Sequence, residues 1–235
     1  MILSISEHIQ PTDTSFVFDK DESRHLIKVL RKKEGDFVYI TDGKGNFYTT
    51  SINLANEKRC IVVVDNVTQH PKNRPYHLHI AIAPTKLNDR YEWFLEKAVE
   101  IGIDEITPII CKNSERKIIK IDRMKKIIQS AIKQSLQLHL PILNEPVLFD
   151  TFLKQQTASQ KFIAHCEDED NKKYLQKIAK PSNDLLILVG PEGDFTPNEI
   201  DLAIQQNYIP VTLGQNRLRT ETAGVYITSL MTTLL

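Results

Sequence analysis

The hydrophobic pattern changes near residue 70, and this change constrains the fold more than any other feature of the sequence. Before it, short runs of β-branched and aromatic residues are separated by turn signals such as Asp42-Gly43 and Gly45-Asn46. Beyond residue 76, strand-like apolar runs alternate with helical periodicity. The first pattern predicts a small β-barrel over residues 1–70, and the second predicts a mostly parallel sheet covered by helices over 76–235. The polar, proline-containing stretch 70–75 is the predicted linker.

The predicted elements follow from these periodicities. In the barrel we expect strands over 16–18, 37–40, 47–52 and 60–64, and one helix over 23–32. In the second domain we expect strands over 77–83, 105–111, 161–166, 185–189 and 209–213, with helices over 87–101, 121–138, 147–155, 171–179, 197–206 and 221–234. Gly102 is placed to end the first of these helices, and Thr196 with Glu199 predicts a capping box.

Charge is balanced in total but not along the chain. The 235 residues carry 30 Lys+Arg and 30 Asp+Glu, which argues against general affinity for nucleic acid. Residues 71–140, however, hold 13 basic and 8 acidic residues, whereas residues 141–235 hold 8 and 12. Basic runs over 24–33 and 112–133 can neutralise phosphates, although a solvated helix face also explains a single run. The sequence therefore predicts a confined basic surface for a polyanion.

Several classes of protein are disfavoured. No run approaches the ~18 apolar residues of a membrane helix, and the first residues do not resemble a secretory signal, so we expect a cytoplasmic protein with no membrane partner. Cys60, Cys111 and Cys166 lie far apart without metal-type spacing, so we expect no metal. The dinucleotide-binding and P-loop glycine motifs are absent from the sequence.

Two strand-to-helix loops are the candidate ligand sites, because ligands of open α/β sheets bind at the carboxyl ends of strands. The first is Gly190-Pro191-Glu192-Gly193, whose glycines permit positive φ and close approach of a ligand. A tight connection with no ligand is the alternative. The second follows Leu213-Gly214, where Thr220 is predicted to cap the last helix and Arg219 to hold an anion. These features predict a site but not a reaction.

The same residues resemble those of the RsmE-type ribosomal RNA methyltransferases. The match runs in order along nearly the whole chain, through His25-Leu26 with Val29-Leu30-Arg31, Lys86, Lys97-Ala98, Ser114-Glu115-Arg116, Gly190-Pro191-Glu192-Gly193, Leu213-Gly214 and Leu218–Ala223. Where the family often has a glycine after Gly193, this chain has Asp194. An arginine usual in the family near Gln134-Ser135 is also missing, which removes one expected RNA contact.

This resemblance implies an α/β SPOUT trefoil-knot methyltransferase domain preceded by a small PUA-like β-barrel domain, acting as a homodimer. It implies that S-adenosylmethionine is the cofactor, and that the substrate is N3 of a uridine in the 16S rRNA of the 30S subunit. The cofactor-binding residues that it implies are Leu188, Gly190, Glu192, Gly193, Leu213, Gly214, Leu218, Arg219, Thr220 and Ala223.

Arg219 and Glu221 are the catalytic candidates, with Glu221 as the base that removes the N3 proton and Arg219 as the stabiliser of the uridine anion. An alternative gives Glu221 only a role at the helix dipole. The predicted RNA contacts are Arg24, His25, Lys28, Arg31, Lys86, Arg116 and Lys117. Three other functions stay open: a related enzyme that methylates a ribose 2′-hydroxyl, a non-catalytic RNA-binding assembly factor, and a metabolic α/β enzyme.

Overall fold

The structure is a computed structural model that describes residues 1–72, 74–167, 172–180 and 183–234. The chain divides into two compact units. The first comprises Met1–Lys72 together with Ile132–Leu140, and the second comprises Asn73–Ala131 and Pro141–Leu235. The functional domains expected over residues 1–70 and 76–235 stay a prediction, and Asn73 in the expected linker lies outside the described residues.

The first unit contains a mixed sheet. Its described strands run in the order β1-β3-β4-β5-β2, in which β1 pairs with β3 in parallel and the other pairs are antiparallel. Alternate residues of the long fourth strand, Tyr48, Thr50 and Ile52, are buried, so one face of the sheet covers a core. The strand bounds are β1 Leu3–Ile5, β2 Ser15–Val17, β3 Phe37–Thr41, β4 Asn46–Leu54 and β5 Ile61–Gln69.

The turn between β3 and β4 forms where Asp42-Gly43 and Gly45-Asn46 predict it. Gly43 and Gly45 have φ of 75° and 95°, in the left-handed region that favours glycine. The Asp42 carboxylate accepts hydrogen bonds from the backbone N–H of Lys44 at 2.8 Å and of Asn46 at 3.2 Å. The acidic side chain therefore replaces the backbone partners that the turn lacks.

The helical segment of the first unit differs from the prediction of one helix over 23–32. Helix α1, Lys20–Arg24, begins earlier because Asp19 caps it, accepting from the Glu22 N–H at 2.8 Å. The chain then widens into a π-helical turn over His25–Val29, in which the Leu30 N–H donates to the His25 carbonyl at 2.9 Å. Arg31 ends the segment with φ of 55°.

The second unit is built on a parallel sheet, which confirms the predicted α/β pattern. The described strands run in the order β11-β13-β10-β12-β6-β7-β8. Strand β9 also pairs with β7, at the residues that follow those paired with β8. All residues of β6 and β12 are buried, as expected for central strands covered on both faces. The bounds are β6 Leu78–Ile82, β7 Glu105–Ile110, β8 Ile142–Leu143, β9 Val147–Leu148, β10 Gln160–Ala164, β11 Lys173–Tyr174, β12 Leu185–Val189 and β13 Ile209–Thr212.

Helices α2 and α7 pack against each other beside β6. Gly224 of α7 allows this contact, because a Cβ there would lie 2.5 Å from the buried ring of Phe94 in α2. Gly102 ends α2 in the left-handed conformation, as predicted. In the part of the chain that the structure describes, no helix is long and apolar enough to cross a membrane. The helix bounds are α2 Asn88–Ile101, α3 Ile121–Ser135, α4 Phe149–Leu153, α5 Leu175–Ile178, α6 Pro197–Gln205 and α7 Thr220–Thr233.

Two predicted helices are shorter than expected. In the stretch 147–155, Val147-Leu148 pairs with β7 and only Phe149–Leu153 is helical. In the stretch 171–179, Asn171 lies outside the described residues, Lys173-Tyr174 pairs with β13, and only Leu175–Ile178 is helical. Pairing with a neighbouring strand outweighs helical periodicity at both places.

Candidate active site

The turn after β12 contains the first candidate loop, and its two glycines are tightly packed. A Cβ on Gly190 would lie 3.1 Å from the Phe195 ring, and a Cβ on Gly193 would lie 3.2 Å from Cβ of Asn113. Neither glycine has a positive φ, so the expectation that they supply left-handed backbone is wrong. The left-handed residue of this turn is Asp194, with φ of 60°.

Asp194 stabilises the turn with its side chain. Its Oδ1 accepts from the Phe195 N–H at 2.8 Å, and its Oδ2 accepts from the Cys166 N–H at 2.6 Å, at the end of β10. Aspartate tolerates the left-handed region better than most residues, because its short polar side chain can bond locally. The position where the RsmE-type sequences often have glycine is therefore one where the backbone requires positive φ.

Neighbouring loops hold the turn in place. The Glu192 carboxylate accepts from the Lys86 N–H at 2.9 Å, and the Asn113 side-chain amide donates to the carbonyls of Gly193 and Asp194, each at 3.1 Å. The Arg116 guanidinium donates to the Lys86 carbonyl through Nε at 3.1 Å and Nη2 at 2.6 Å. The loops after β6 and β7 thus fix the loop after β12.

The N-terminus of α7 meets the same turn. Arg219 is the N-cap residue and has no side-chain capping bond, whereas Thr220 is the first helical residue. The Thr220 hydroxyl donates to the Gly190 carbonyl at 3.0 Å, so the prediction that Thr220 caps the helix is wrong. This hydrogen bond joins the two candidate loops, because Gly190 belongs to the first and Thr220 to the second.

Glu221 and Arg219, the catalytic candidates, have different surroundings. Glu221 is 6% exposed, and its Oε1 lies 3.8 Å from Nε of Arg90 on α2. Its buried Oε2 has no hydrogen-bond partner among the described residues. The carboxylate lies in the first turn of α7, where the helix dipole favours a negative charge. Arg219 is exposed to solvent.

The loop after β13 presents open backbone. The Thr212 hydroxyl donates to the Gly214 carbonyl at 2.9 Å and accepts from the Gly214 N–H at 3.3 Å. Gly214 is exposed, and, apart from its own two chain neighbours, no described residue has an atom within 4 Å of the position that a Cβ would occupy there. Leu213 and Leu218 are half-buried beside it. The space on the Cβ side of Gly214 is therefore open.

The comparisons with known proteins identify the family. The model of an RNA methyltransferase domain matches residues 72–232, and the model of an RNA methyltransferase PUA domain matches residues 18–65. The ribosomal RNA small subunit methyltransferase E of Buchnera aphidicola subsp. Acyrthosiphon pisum (strain APS) is 32% identical over 228 residues, which cover 92% of this chain and 88% of that protein. The chain belongs to the RsmE family of ribosomal RNA methyltransferases.

Solved structures agree with membership of the RsmE family. A probable rRNA-methyltransferase from Porphyromonas gingivalis is 38% identical with a TM-score of 0.91, covering 100% of this chain and 98% of that one. The ribosomal RNA small subunit methyltransferase E from Neisseria gonorrhoeae, bound to S-adenosyl methionine, is 26% identical with a TM-score of 0.88 and the same coverage. The predicted fold class, a PUA-like barrel followed by a SPOUT α/β trefoil-knot domain, is confirmed.

The structure brings together only some of the site residues predicted from the RsmE resemblance. Hydrogen bonds connect the turn containing Gly190, Glu192 and Gly193 to Lys86 and Thr220. Within the described ranges, no hydrogen bond joins Leu213 or Gly214 to that turn. Leu188 is fully buried in β12 and Ala223 is buried in α7. Which of these residues bind the cofactor stays a prediction.

The RNA contacts predicted for the first unit are all exposed. Arg24 ends α1, His25 and Lys28 belong to the π-helical turn, and Arg31 follows it. Nζ of Lys28 lies 3.1 Å from the Glu57 carboxylate, an exposed pair that contributes little to stability. The assignment of these residues to RNA stays a prediction.

Two residues of the site were missed by sequence reasoning. Asn113 precedes the Ser114-Glu115-Arg116 segment that carries part of the RsmE resemblance, and its position directly after β7 was the signal available. Arg90 lies in the first turn of α2 and has no local pattern that points to Glu221. Within the described ranges, no group of three or more His, Cys, Asp and Glu side chains is placed to hold a metal ion.

Proposed function

We propose that the protein transfers a methyl group from S-adenosylmethionine to N3 of one uridine in 16S rRNA, acting on the 30S subunit in the cytoplasm. The observation that carries the proposal is the hydrogen bond between Thr220 and Gly190, which joins the two candidate loops in a chain of the RsmE family. We assign RNA binding to a PUA-like domain over residues 1–70 and methyl transfer to the domain over 76–235.

The residues around the two loops suit the cofactor. When bound, S-adenosylmethionine supplies a methyl group already activated by its sulfonium charge. The half-buried side chains of Leu213 and Leu218 offer apolar contact to its adenine. The exposed Gly214 carbonyl, which already accepts from Thr212, has a second lone pair that can accept from the amino group of the ring. The residues we assign to this site are Leu188, Gly190, Glu192, Gly193, Leu213, Gly214, Leu218, Arg219, Thr220 and Ala223.

The uridine has to lose its weakly acidic N3 proton for that nitrogen to attack. We assign proton removal to Glu221, whose Oε2 makes no hydrogen bond in the described part of the chain. Arg219, exposed at the N-cap of α7, stabilises the negative charge that develops on the uracil ring. The Arg90 guanidinium, whose Nε lies 3.8 Å from Oε1 of Glu221, orients the carboxylate. The burial of Glu221 favours the competing assignment, in which it only stabilises α7.

The homodimer is part of the same proposal. Helices α2 and α7 carry large apolar side chains in solvent: Trp93 is 43% exposed and Tyr226 is 37% exposed, and Leu87 at the start of α2 is 46% exposed. A second copy covering these residues would remove apolar surface from water. Light scattering of the eluted protein should give twice the chain mass of 27.0 kDa, and a mass of 27.0 kDa would contradict the dimer.

Methyl transfer to defined particles tests the proposed function. The protein and radiolabelled S-adenosylmethionine are incubated with 30S subunits that lack the modification, with 23S rRNA as the negative substrate. We expect label in 16S rRNA alone, and mass spectrometry of its nucleosides should give 3-methyluridine. A ribose 2′-O-methyl nucleoside would identify a different target, and RNA binding without transfer would identify an assembly factor.

Two substitutions separate the catalytic assignment of Glu221 from the structural one. If Glu221 is the base, Glu221→Gln should lower turnover by roughly 10²-fold or more while binding S-adenosylmethionine normally. Normal turnover in this variant would restrict Glu221 to a structural role. Arg219→Gln should also lower turnover, since the uridine anion would lose a positive partner; normal turnover there would remove Arg219 from the mechanism.

A further inference from the structure

The basic residues between 112 and 126 fall into two groups. The two arginines are engaged within the second unit: Arg116 donates to the carbonyls of Thr85 and Lys86, and Nε of Arg123 lies 2.6 Å from the Glu92 carboxylate. The lysines are exposed, and none of them has an acidic partner within 4.0 Å among the described residues. These lysines are Lys112, Lys117, Lys120, Lys125 and Lys126.

Three lysines elsewhere in the chain illustrate the contrast, because each has an acidic partner. Lys86 pairs with Glu115 at 2.8 Å, Lys97 with Glu96 at 2.7 Å, and Lys133 with Glu22 at 2.7 Å. The lysines of 112–126 therefore differ from these in remaining available to an external anion. We call these five residues the lysine surface.

The packing of α3 directs this surface to solvent. Met124, Ile128 and Ala131 are 1–3% exposed and form the buried face of the helix. Lys125 and Lys126 fall outside this stripe and are exposed, because successive residues are 100° apart around the axis. Ile118, between Lys117 and Lys120, is 83% exposed, so the segment before α3 also projects into solvent.

A concavity lies beside this segment. Lys120, Arg123 and Lys126 line a cavity of about 700 Å³, with Asp122 and Glu145 also on its wall. Arg123 is paired with Glu92, so two other cations and two acids are left on this wall. Lys120 and Lys126 are the wall cations that have no acidic partner within 4.0 Å among the described residues.

We propose that the lysine surface binds the phosphate backbone of the rRNA substrate, outside the cofactor loops. The inference rests on the proposed function. Lysine is a flexible point charge suited to phosphates. Lys112 precedes Asn113, whose side-chain amide donates to the Gly193 carbonyl, so this end of the lysine surface lies next to the turn containing Gly193. In a chain of zero net charge, such a confined surface favours RNA docked in one orientation over general RNA binding.

Binding of 30S subunits by a triple variant tests the inference. Lys120→Gln, Lys125→Gln and Lys126→Gln are combined, and affinity for 30S subunits is measured from 50 to 300 mM salt. Each lost lysine–phosphate contact removes roughly 0.7–0.9 from the slope of log affinity against log salt, so the slope should fall by about 2 and affinity by roughly tenfold or more. The matched control carries Lys154→Gln, Lys173→Gln and Lys180→Gln, the same charge change at other exposed lysines, and should bind like wild type.

The outcomes separate this inference from the proposed function. Wild-type affinity and slope in the triple variant would overturn the lysine surface, while methyl transfer by the wild type would leave the proposed function standing. If the triple variant loses binding and the wild type transfers no methyl group, the lysine surface is supported and the proposed function is rejected. Loss of affinity for 30S subunits but not for deproteinised 16S rRNA would reject RNA as the occupant in favour of a ribosomal protein. Substitution of the three lysines by arginine should retain binding, because the positive charges are kept. Equal melting temperatures of the glutamine triple variant and the wild type would show that folding is unaffected.

Discussion

The Thr220 hydroxyl donates a hydrogen bond to the Gly190 carbonyl at 3.0 Å, and this bond fixes the first residue of α7 to the end of β12. Thr220 is 5% exposed, so the bond is shielded from water. Both residues lie in the proposed cofactor site. A buried hydroxyl thus links two loops that are separate in sequence.

Removing that hydroxyl should weaken cofactor binding. In Thr220→Val the shape is kept but the Gly190 carbonyl loses its buried donor, at a cost of about 1–3 kcal/mol. We expect S-adenosylmethionine to bind roughly tenfold more weakly by calorimetry, while Thr220→Ser stays close to wild type. Equal affinity in the valine variant would show that the two loops are fixed by other contacts.

The left-handed backbone of Asp194 leads us to expect an unusual order of stability among variants at this position. Asp194→Ala loses the bonds to the N–H groups of Phe195 and Cys166 and keeps the left-handed strain, so it should destabilise the protein most. Asp194→Gly loses the same bonds but relieves the strain, and should be about 1 kcal/mol more stable than the alanine variant. Urea unfolding of both variants measures the difference. An alanine variant as stable as the glycine variant would contradict the strain argument.

The close packing at Gly224 predicts that alanine at this helix position makes the protein less stable than glycine does. Alanine in a helix interior normally gains about 1 kcal/mol over glycine. Here its Cβ would lie 2.5 Å from the Phe94 ring and 2.9 Å from Cδ1 of Ile82, so overpacking of about 1–3 kcal/mol should dominate. We expect Gly224→Ala to lower the melting temperature. Adding Phe94→Leu should recover part of the loss, and strict additivity of the two changes would show that the ring is not the obstacle.

Because His79 is buried, we expect the folding stability of the second unit to fall at acid pH. Burial lowers the pKa of His79 from 6.5 to about 4, although Glu105 opposes this shift. The unfolded chain therefore binds the proton first, and stability is lost as pH falls from 6.5 towards 4. Between pH 7 and pH 5 the loss from this residue is about 2 kcal/mol.

The control variant replaces the titratable imidazole of His79 with a neutral amide. His79→Gln keeps a polar partner for the Thr107 hydroxyl, which lies 2.7 Å from Nε2 of His79. Urea unfolding at pH 7 and pH 5 should show a smaller loss in the variant than in wild type. Burial also raises the pKa of Glu105, but the His77 hydrogen bond, the charge of His79 and the Asn144 hydrogen bond outweigh it and lower that pKa to about 2, so its contribution is lost only below pH 4.5. Equal losses in both proteins between pH 7 and 5 would exclude His79 as the cause.

Sequence reasoning succeeded where the stabilising interactions are local or strongly periodic. The strand over 185–189 was predicted at its observed bounds because its five residues are apolar and buried on both faces. The capping box of Thr196 and Glu199 forms as predicted because its partners are three residues apart. The parallel sheet followed from the alternation of such elements.

Features that depend on distant partners were not predictable. Strands β1, β9 and β11 have two or three residues each, too few for a period, and form only by pairing with β3, β7 and β13. The local sequence predicts Thr220 as a helix cap, because its hydrogen-bond acceptor, the Gly190 carbonyl, lies 30 residues away in the sequence. Asn113 acts on the turn containing Gly193 across 80 residues of sequence, so no local pattern identifies it.

The strand order of the second unit has a consequence for how the chain folds during synthesis. One edge of β6 pairs with β12, where Leu78 lies opposite Leu185. A ribosome adding about 5–20 residues per second needs at least ~5 s to make the chain between them, and during that time the nascent strand presents an unpaired apolar edge. Closing such a long loop slows folding, because its entropy is lost before the pairing is gained. Sequestration of residues 78–82 by a chaperone until the C-terminal segment emerges would therefore raise the yield of folded protein.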